Sequence, residues 1–245
     1  MVSTSDHTVH SYDEDLRGLT NLILQMGGLV ESQIAASIEA VRLRDSDLSN
    51  RIIDDDAKID ELELEVERKV TRLLALRQPM AVDLRFVIGT LRMAGDLERM
   101  GDLAANIAKR TIALAQTREI TSLWVIPSMG QRVQGMVKEV LDAFVEQNLE
   151  KAREVWISDR AVDQMYTGLF RQLLTYMMED PRNITPCTHL LFVAKNLERI
   201  ADHATNMAEV ICFGITGQRD ILGERPKADD SSTFAGREPA DEHGG

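Results

Sequence analysis

The sequence predicts an all-α protein of six long helices, laid out as two tandem, pseudo-symmetric three-helix bundles. Three observations predict it. Apolar residues recur at helical spacing through almost the whole chain, no stretch shows the alternation of a strand between hairpin turns, and an internal repeat superposes the third helix on the sixth.

The first helix is marked by Leu16, Leu19, Leu22, Ile23, Met26, Leu29, Val30 and Ile34 and runs to about Arg44. Asp45-Ser46-Asp47 supplies a turn and a candidate N-cap. The second helix carries Ile52, Ile53, Ile59, Leu62, Val66, Val70, Leu73 and Leu74. Gln78-Pro79 ends it, with Pro79 suited to the first turn of the third helix, which spans about Met80 to Leu114. Leu123, Ile126, Met129, Val133, Met136, Val137, Val140 and Phe144 mark the fourth helix, and Gln147-Asn148 breaks it. Val155, Val162, Leu169, Leu173, Leu174 and Met177 mark the fifth, ended by Asp180-Pro181. The sixth runs from about Ile184 to Phe213, with Gly214 and Gly217 as stop signals. The expected layout is a loose N-terminus over 1–11, bundles over 12–116 and 119–217, and a disordered acidic tail over 218–245.

The apolar content of 44% suffices for a packed core, and aromatics at 4% are scarce, as in helical bundles built on Leu, Ile, Val, Met and Ala. A formal net charge of −12 argues against a nucleic-acid binder, which needs a basic footprint, and against adhesion to anionic lipid. It suits hard cations or a basic partner. Cys187 and Cys212 are too few for a disulfide framework or a cysteine-rich zinc site. No apolar run reaches the roughly 18–20 residues of a membrane span, and Met1 to His10 lack a signal pattern, so a cytoplasmic location is expected by elimination.

The repeat carries the chemistry. Leu97-Glu98-Arg99-Met100-Gly101-Asp102 matches Leu197-Glu198-Arg199-Ile200-Ala201-Asp202, and the match continues through Asn106 and Asn206. Glu98 and Asp102 share a helix face, as do Glu198 and Asp202. Steps of seven through Leu84, Leu91, Glu98 and Ala105, and through Ile184, Leu191, Glu198 and Thr205, place both glutamates on an apolar seam. The second helix of each half adds an acidic i, i+4 pair, Asp56 with Asp60 and Asp159 with Asp163. Carboxylates gathered on a seam need compensation by arginine, protons or metal. Their oxygens suit Mg, Mn, Fe or Ca; the scarcity of histidine, five in all, weighs against Zn. Asn106, Asn206, Arg99 and Arg199 are candidates for the surrounding shell. The rival reading is a metal-free ion-pair network through Arg99 and Arg199. A carboxylate-bridged dimetal enzyme would bring Glu-x-x-His motifs, and none is present, so no catalytic residue is assigned.

At these residues the chain resembles the PhoU family. The resemblance extends from about Tyr12 to Gly217. It rests on the duplicated three-helix layout, on Gln78-Pro79-Met80-Ala81-x-Asp83-Leu84-Arg85, on the Leu-Glu-Arg-x-x-Asp repeats and on Asn206-Met207-Ala208-Glu209. It implies a cytoplasmic regulator rather than an enzyme: an adaptor between the ATPase subunit of the phosphate ABC transporter and the sensor histidine kinase of the phosphate response, repressing phosphate uptake and starvation genes when phosphate is plentiful. It also implies a homodimer that meets the membrane only through partners, and metal at acidic motifs that match Asp56-Asp60, Glu98-Asp102, Asp159-Asp163 and Glu198-Asp202. Asn196 stands where the first half has Asp96, so the two sites need not have equal affinity.

Overall fold

The computed structural model describes residues 4–120, 125–218 and 222–223, with side chains described from Tyr12 onward. Leu123 and nearly all of the acidic tail lie outside the described residues. The helices are α1 (Thr4–Leu43), α2 (Ser46–Asp55), α3 (Ala57–Arg77), α4 (Ala81–Ala115), α5 (Val125–Glu146), α6 (Leu149–Glu179) and α7 (Ile184–Thr216). A single 3₁₀ turn, Pro181–Asn183, leads into α7, and the described residues contain no strand.

The boundaries follow local chemistry. Asp45 caps α2, its side chain accepting from the Leu48 N–H at 2.9 Å. Asn148 caps α6 by accepting from the amides of Glu150 and Lys151. Gly217, at φ 73°, closes α7 in the left-handed conformation, its N–H bonded to the Phe213 carbonyl. Three details differ from the sequence expectation. The chain is helical from Thr4, because nothing before Gly18 is a helix breaker. The second expected helix is interrupted at Asp56, where the Ile59 N–H reaches back only three residues, to the Asp56 carbonyl at 2.9 Å. Asp56 keeps right-handed helical angles, so α2 and α3 together are that second helix. Finally, Pro79 lies in the connector before Ala81 rather than in the first turn of α4.

The two halves merge. α2 and α3 pack on α1 and α4, and α6 packs on α5 and α7, but α1 also packs on α5 and α4 on α7. α4 and α7 run antiparallel: Arg85 donates to the Gly214 carbonyl, Asp96 meets His203, and Arg110 lies over the Phe192 ring. α1 and α5 run antiparallel too, with Gly27 against Leu141 and Gly130 against Ile38. One apolar core passes through both halves, from Leu19 and Ile23 through Leu97 and Val137 to Leu173 and Leu197.

The seam needs correction. Along α4 the fully buried stripe is Met93, Ala94, Leu97, Met100, Ala104 and Ile107. Leu84 is 40% exposed and Ile184 49%, whereas Ala105 and Thr205 are buried. A straight helix drifts by about 20° per heptad against a seven-residue step, so each line of sevens walks from solvent into the core. Glu98 and Glu198 stand partway along that walk, half-buried on the shoulder of the stripe rather than in the seam.

Candidate functional site

The first acidic group forms where the α2–α3 junction meets α4. Gly101 permits the approach: a Cβ there would lie 2.8 Å from Ile59 Cδ1 and 3.1 Å from Asp56 Oδ1. Buried Gln33 on α1 donates through Nε2 to Asp56 Oδ1 at 3.1 Å and to the Ile52 carbonyl at 3.2 Å. Burial pushes the Asp56 carboxyl above the usual range. The Gln33 bond opposes that, the charges of Asp102 and Asp60 add to it, and Lys109 opposes it. Glu98 is pushed up by burial, then by Asp102 and Glu63, against the pull of Arg99. Glu63, on α3, is raised by burial and by Glu67 and Asp60. The charges of Asp60 and Asp102 thus bear on Asp56, Glu63 and Glu98, and the five carboxylates share one electrostatic environment. Asp60 and Asp102 are exposed, so the group opens to solvent.

The second group lies between α6 and α7. Asp159 is buried, 3% exposed, and Asp163 follows one turn later. The Glu198 carboxyl is raised by burial, against a hydrogen bond from Lys195, with Asp202 and Asp163 adding to the rise. Lys195 Nζ lies 2.6 Å from Glu198 Oε1, while Glu198 Oε2 is buried without a hydrogen-bond partner. The eight expected ligands thus fall into two groups on equivalent helices.

The donor set, carboxylate oxygens throughout, suits a hard cation, and a divalent ion would relieve the burial that pushes Asp56, Glu98 and Glu198 above the usual range. Among the described residues, no three carboxylate or imidazole side chains are drawn together closely enough to hold an ion as they stand.

The surrounding residues are less uniform than the repeat implies. Asn106 is exposed and accepts from Lys109 at 3.5 Å. Arg99 and Asn206 line a cleft of about 460 Å³ between α4 and α7, with Arg92, Asp96 and Glu209. Among the described residues, Arg99 and Arg199 form no ion pair within 4.0 Å, so the expected arginine network is not what joins the carboxylates. Asp96 reaches across to His203 Nδ1 at 2.9 Å. It bridges α4 and α7.

The chain matches the PhoU domain family over residues 23–111 and 126–211, one match in each half. The chain belongs to the PhoU family. A Caulobacter vibrioides protein named phosphate-specific transport system accessory protein PhoU homolog is 50% identical over 226 residues, 92% of this chain and 98% of the relative. The Rhizobium meliloti protein of the same name is 48% identical, covering 93% of this chain and 96% of its own length. The crystal structure of PhoU from Pseudomonas aeruginosa matches with a TM-score of 0.82 at 38% identity, over 84% of this chain and all of that one. The all-helical PhoU architecture is therefore the fold of this chain.

Sequence reasoning missed three neighbours of these candidate ligands. Glu63 was hidden in the run Glu61, Glu63, Glu65, Glu67, where spacing alone ranks none above the others. Gln33 sits on a different helix from every motif. Lys195 had a signal: it falls two residues before Leu197 where the first repeat has Gly95.

Proposed function

We propose that this chain is an accessory protein of phosphate transport, working in the cytoplasm as a negative regulator that links the phosphate ABC transporter's ATPase subunit to the sensor histidine kinase of the phosphate response. The observation that carries the reading is the near full-length match to relatives named as phosphate-specific transport system accessory proteins, at up to 50% identity. Its chemistry is binding rather than catalysis. The two carboxylate groups hold divalent or trivalent cations through Asp56, Asp60, Glu98 and Asp102 in one half and Asp159, Asp163, Glu198 and Asp202 in the other. A bound ion would neutralise carboxylates that burial and repulsion leave strained, joining α2–α3 to α4 and α6 to α7.

No helix among the described residues is long and apolar enough to cross a membrane, which fits contact with the transporter through protein surfaces. The α3–α4 turn offers such a surface: Met80 is 81% exposed and Val82 59%, beside Leu76. That turn is also available to a second copy of the chain in a homodimer.

The test pairs binding with physiology. Purified chain should bind the isolated transporter ATPase and the cytoplasmic part of the kinase in biolayer interferometry. Deleting its gene should switch on a phosphate-starvation reporter in phosphate-rich medium. Binding to neither partner, together with a reporter that stays silent, would overturn the assignment.

A further inference from the structure

The two halves repeat their carboxylates but not their cations. In the first half the residue two before Leu97 is Gly95, and the nearest foreign atom to a Cβ built there is Glu63 Oε1 at 3.6 Å. In the second half that place is taken by Lys195, and Tyr166 stands three residues after Asp163 as Glu63 stands three after Asp60. The exchange is concerted. Lys195 Nζ sits 2.6 Å from Glu198 Oε1 and 5.3 Å from the centre of the Tyr166 ring. A ring face attracts an ammonium, so replacing Glu63 by Tyr166 removes one negative charge and adds a seat for a positive one. Glu198 is the more enclosed partner, 13% exposed against 46% for Lys195.

We propose that Lys195 is a built-in counter-ion that occupies the cation position of the second carboxylate group, so that a metal ion enters there only by displacing it, whereas the first group is open to metal directly. The inference rests on the metal-binding reading above. Its warrant is that a cation already lies on the carboxylate, and that it is the chain's own. The Lys195 side chain is 46% exposed, so its head can swing into water while the stem stays along the surface. Displacement is therefore a competition that the solution concentration of metal decides. The first half has no competitor in contact: Arg99 acts on Glu98 and Glu63 and Lys109 acts on Asp56, but among the described residues neither forms an ion pair with them within 4.0 Å, and Lys109 bonds Asn106 instead. The repeat thus yields one open site and one site guarded from within, and the second responds only at higher metal concentration.

The experiment is a titration of chelator-stripped full-length protein with Mn²⁺ alone, followed by electron paramagnetic resonance of the free ion, then repeated with Ca²⁺ and Zn²⁺ by calorimetry. The variants are Lys195→Met, which keeps the stem and removes the charge, and Lys195→Arg, which keeps a cation. Glu98→Gln/Asp102→Asn disables the first group so that the second is read by itself, and circular dichroism checks that each variant folds. The expected result is two affinity classes in the unsubstituted chain. The weaker class should tighten by about tenfold or more in Lys195→Met, and in Lys195→Met combined with the first-group variant, while Lys195→Arg leaves it weak. Metal uptake that is the same in all three Lys195 forms overturns the role of Lys195 and leaves the metal reading standing. No uptake of any of the three ions by any form overturns both.

Discussion

Glu98 and Glu198 are two of the residues at which ionisation works against the fold. Burial is the main cause for each, and neighbouring carboxylates add to it. The sign follows directly. A carboxyl whose folded pKa lies above its unfolded value binds its proton more tightly in the folded state, so in metal-free protein it lowers stability at neutral pH, and that loss is recovered as pH falls through the folded value toward about 4.5. Glu98→Gln should therefore stabilise metal-free protein at pH 7 by a few tenths of a kcal/mol, after allowance for solvent screening, and the gain should vanish near pH 4. Thermal melts from pH 4 to pH 8 check this; a gain that grows on acidification would sink it. With metal bound the sign reverses, since the variant then loses a ligand. The paired motifs were legible in the sequence because four-residue spacing fixes a shared helix face whatever the tertiary structure. Glu63 and Gln33 were not, because their relevance depends on which helix lies opposite.

At the level of elements, the repeat extends to contacts as well as motifs. Gly27 on α1 meets Leu141 on α5, and Gly130 on α5 meets Ile38 on α1, so the two helices close on each other through a reciprocal pair of glycines. Neither glycine has a positive φ, so each serves close approach rather than a turn. Gly27→Val and Gly130→Val should each cost about 1–3 kcal/mol by overpacking the crossing, seen as a lower urea midpoint at unchanged slope. Midpoints equal to that of the unsubstituted chain in both variants would mean that α1 and α5 do not close there. The helices themselves were readable from periodicity, and the caps Asp45 and Gly217 from residue type. The seam was misjudged by reading a sevenfold step as if the helices supercoiled, when the burial of α4 and α7 follows the drift of straighter helices.

On the scale of the molecule, the six-helix pattern suggests two bundles in series, while the core is continuous across α1, α4, α5 and α7. Unfolding should accordingly be one cooperative event, with the fluorescence of buried Trp156 in the second half and far-ultraviolet circular dichroism of both halves giving coincident transitions. A fragment of residues 1–116 should fail to fold as a monomer, because the faces of α1 and α4 that meet α5 and α7 would be left open. Two separable transitions, or a monomeric fragment with a sharp melt, would show that the halves are independent domains.

The sequence by itself determined the all-helical class, the duplicated plan, the family and the four acidic pairs, because periodicity and spacing act within one helix and need no partner to be read. Only the tertiary structure decided how the halves fuse, that Asp96 bridges to His203, and that Tyr166 of α6 faces Lys195 of α7. Those are meetings between helices, fixed by packing and charge over long separations in the chain, and no local pattern encodes which face will find which.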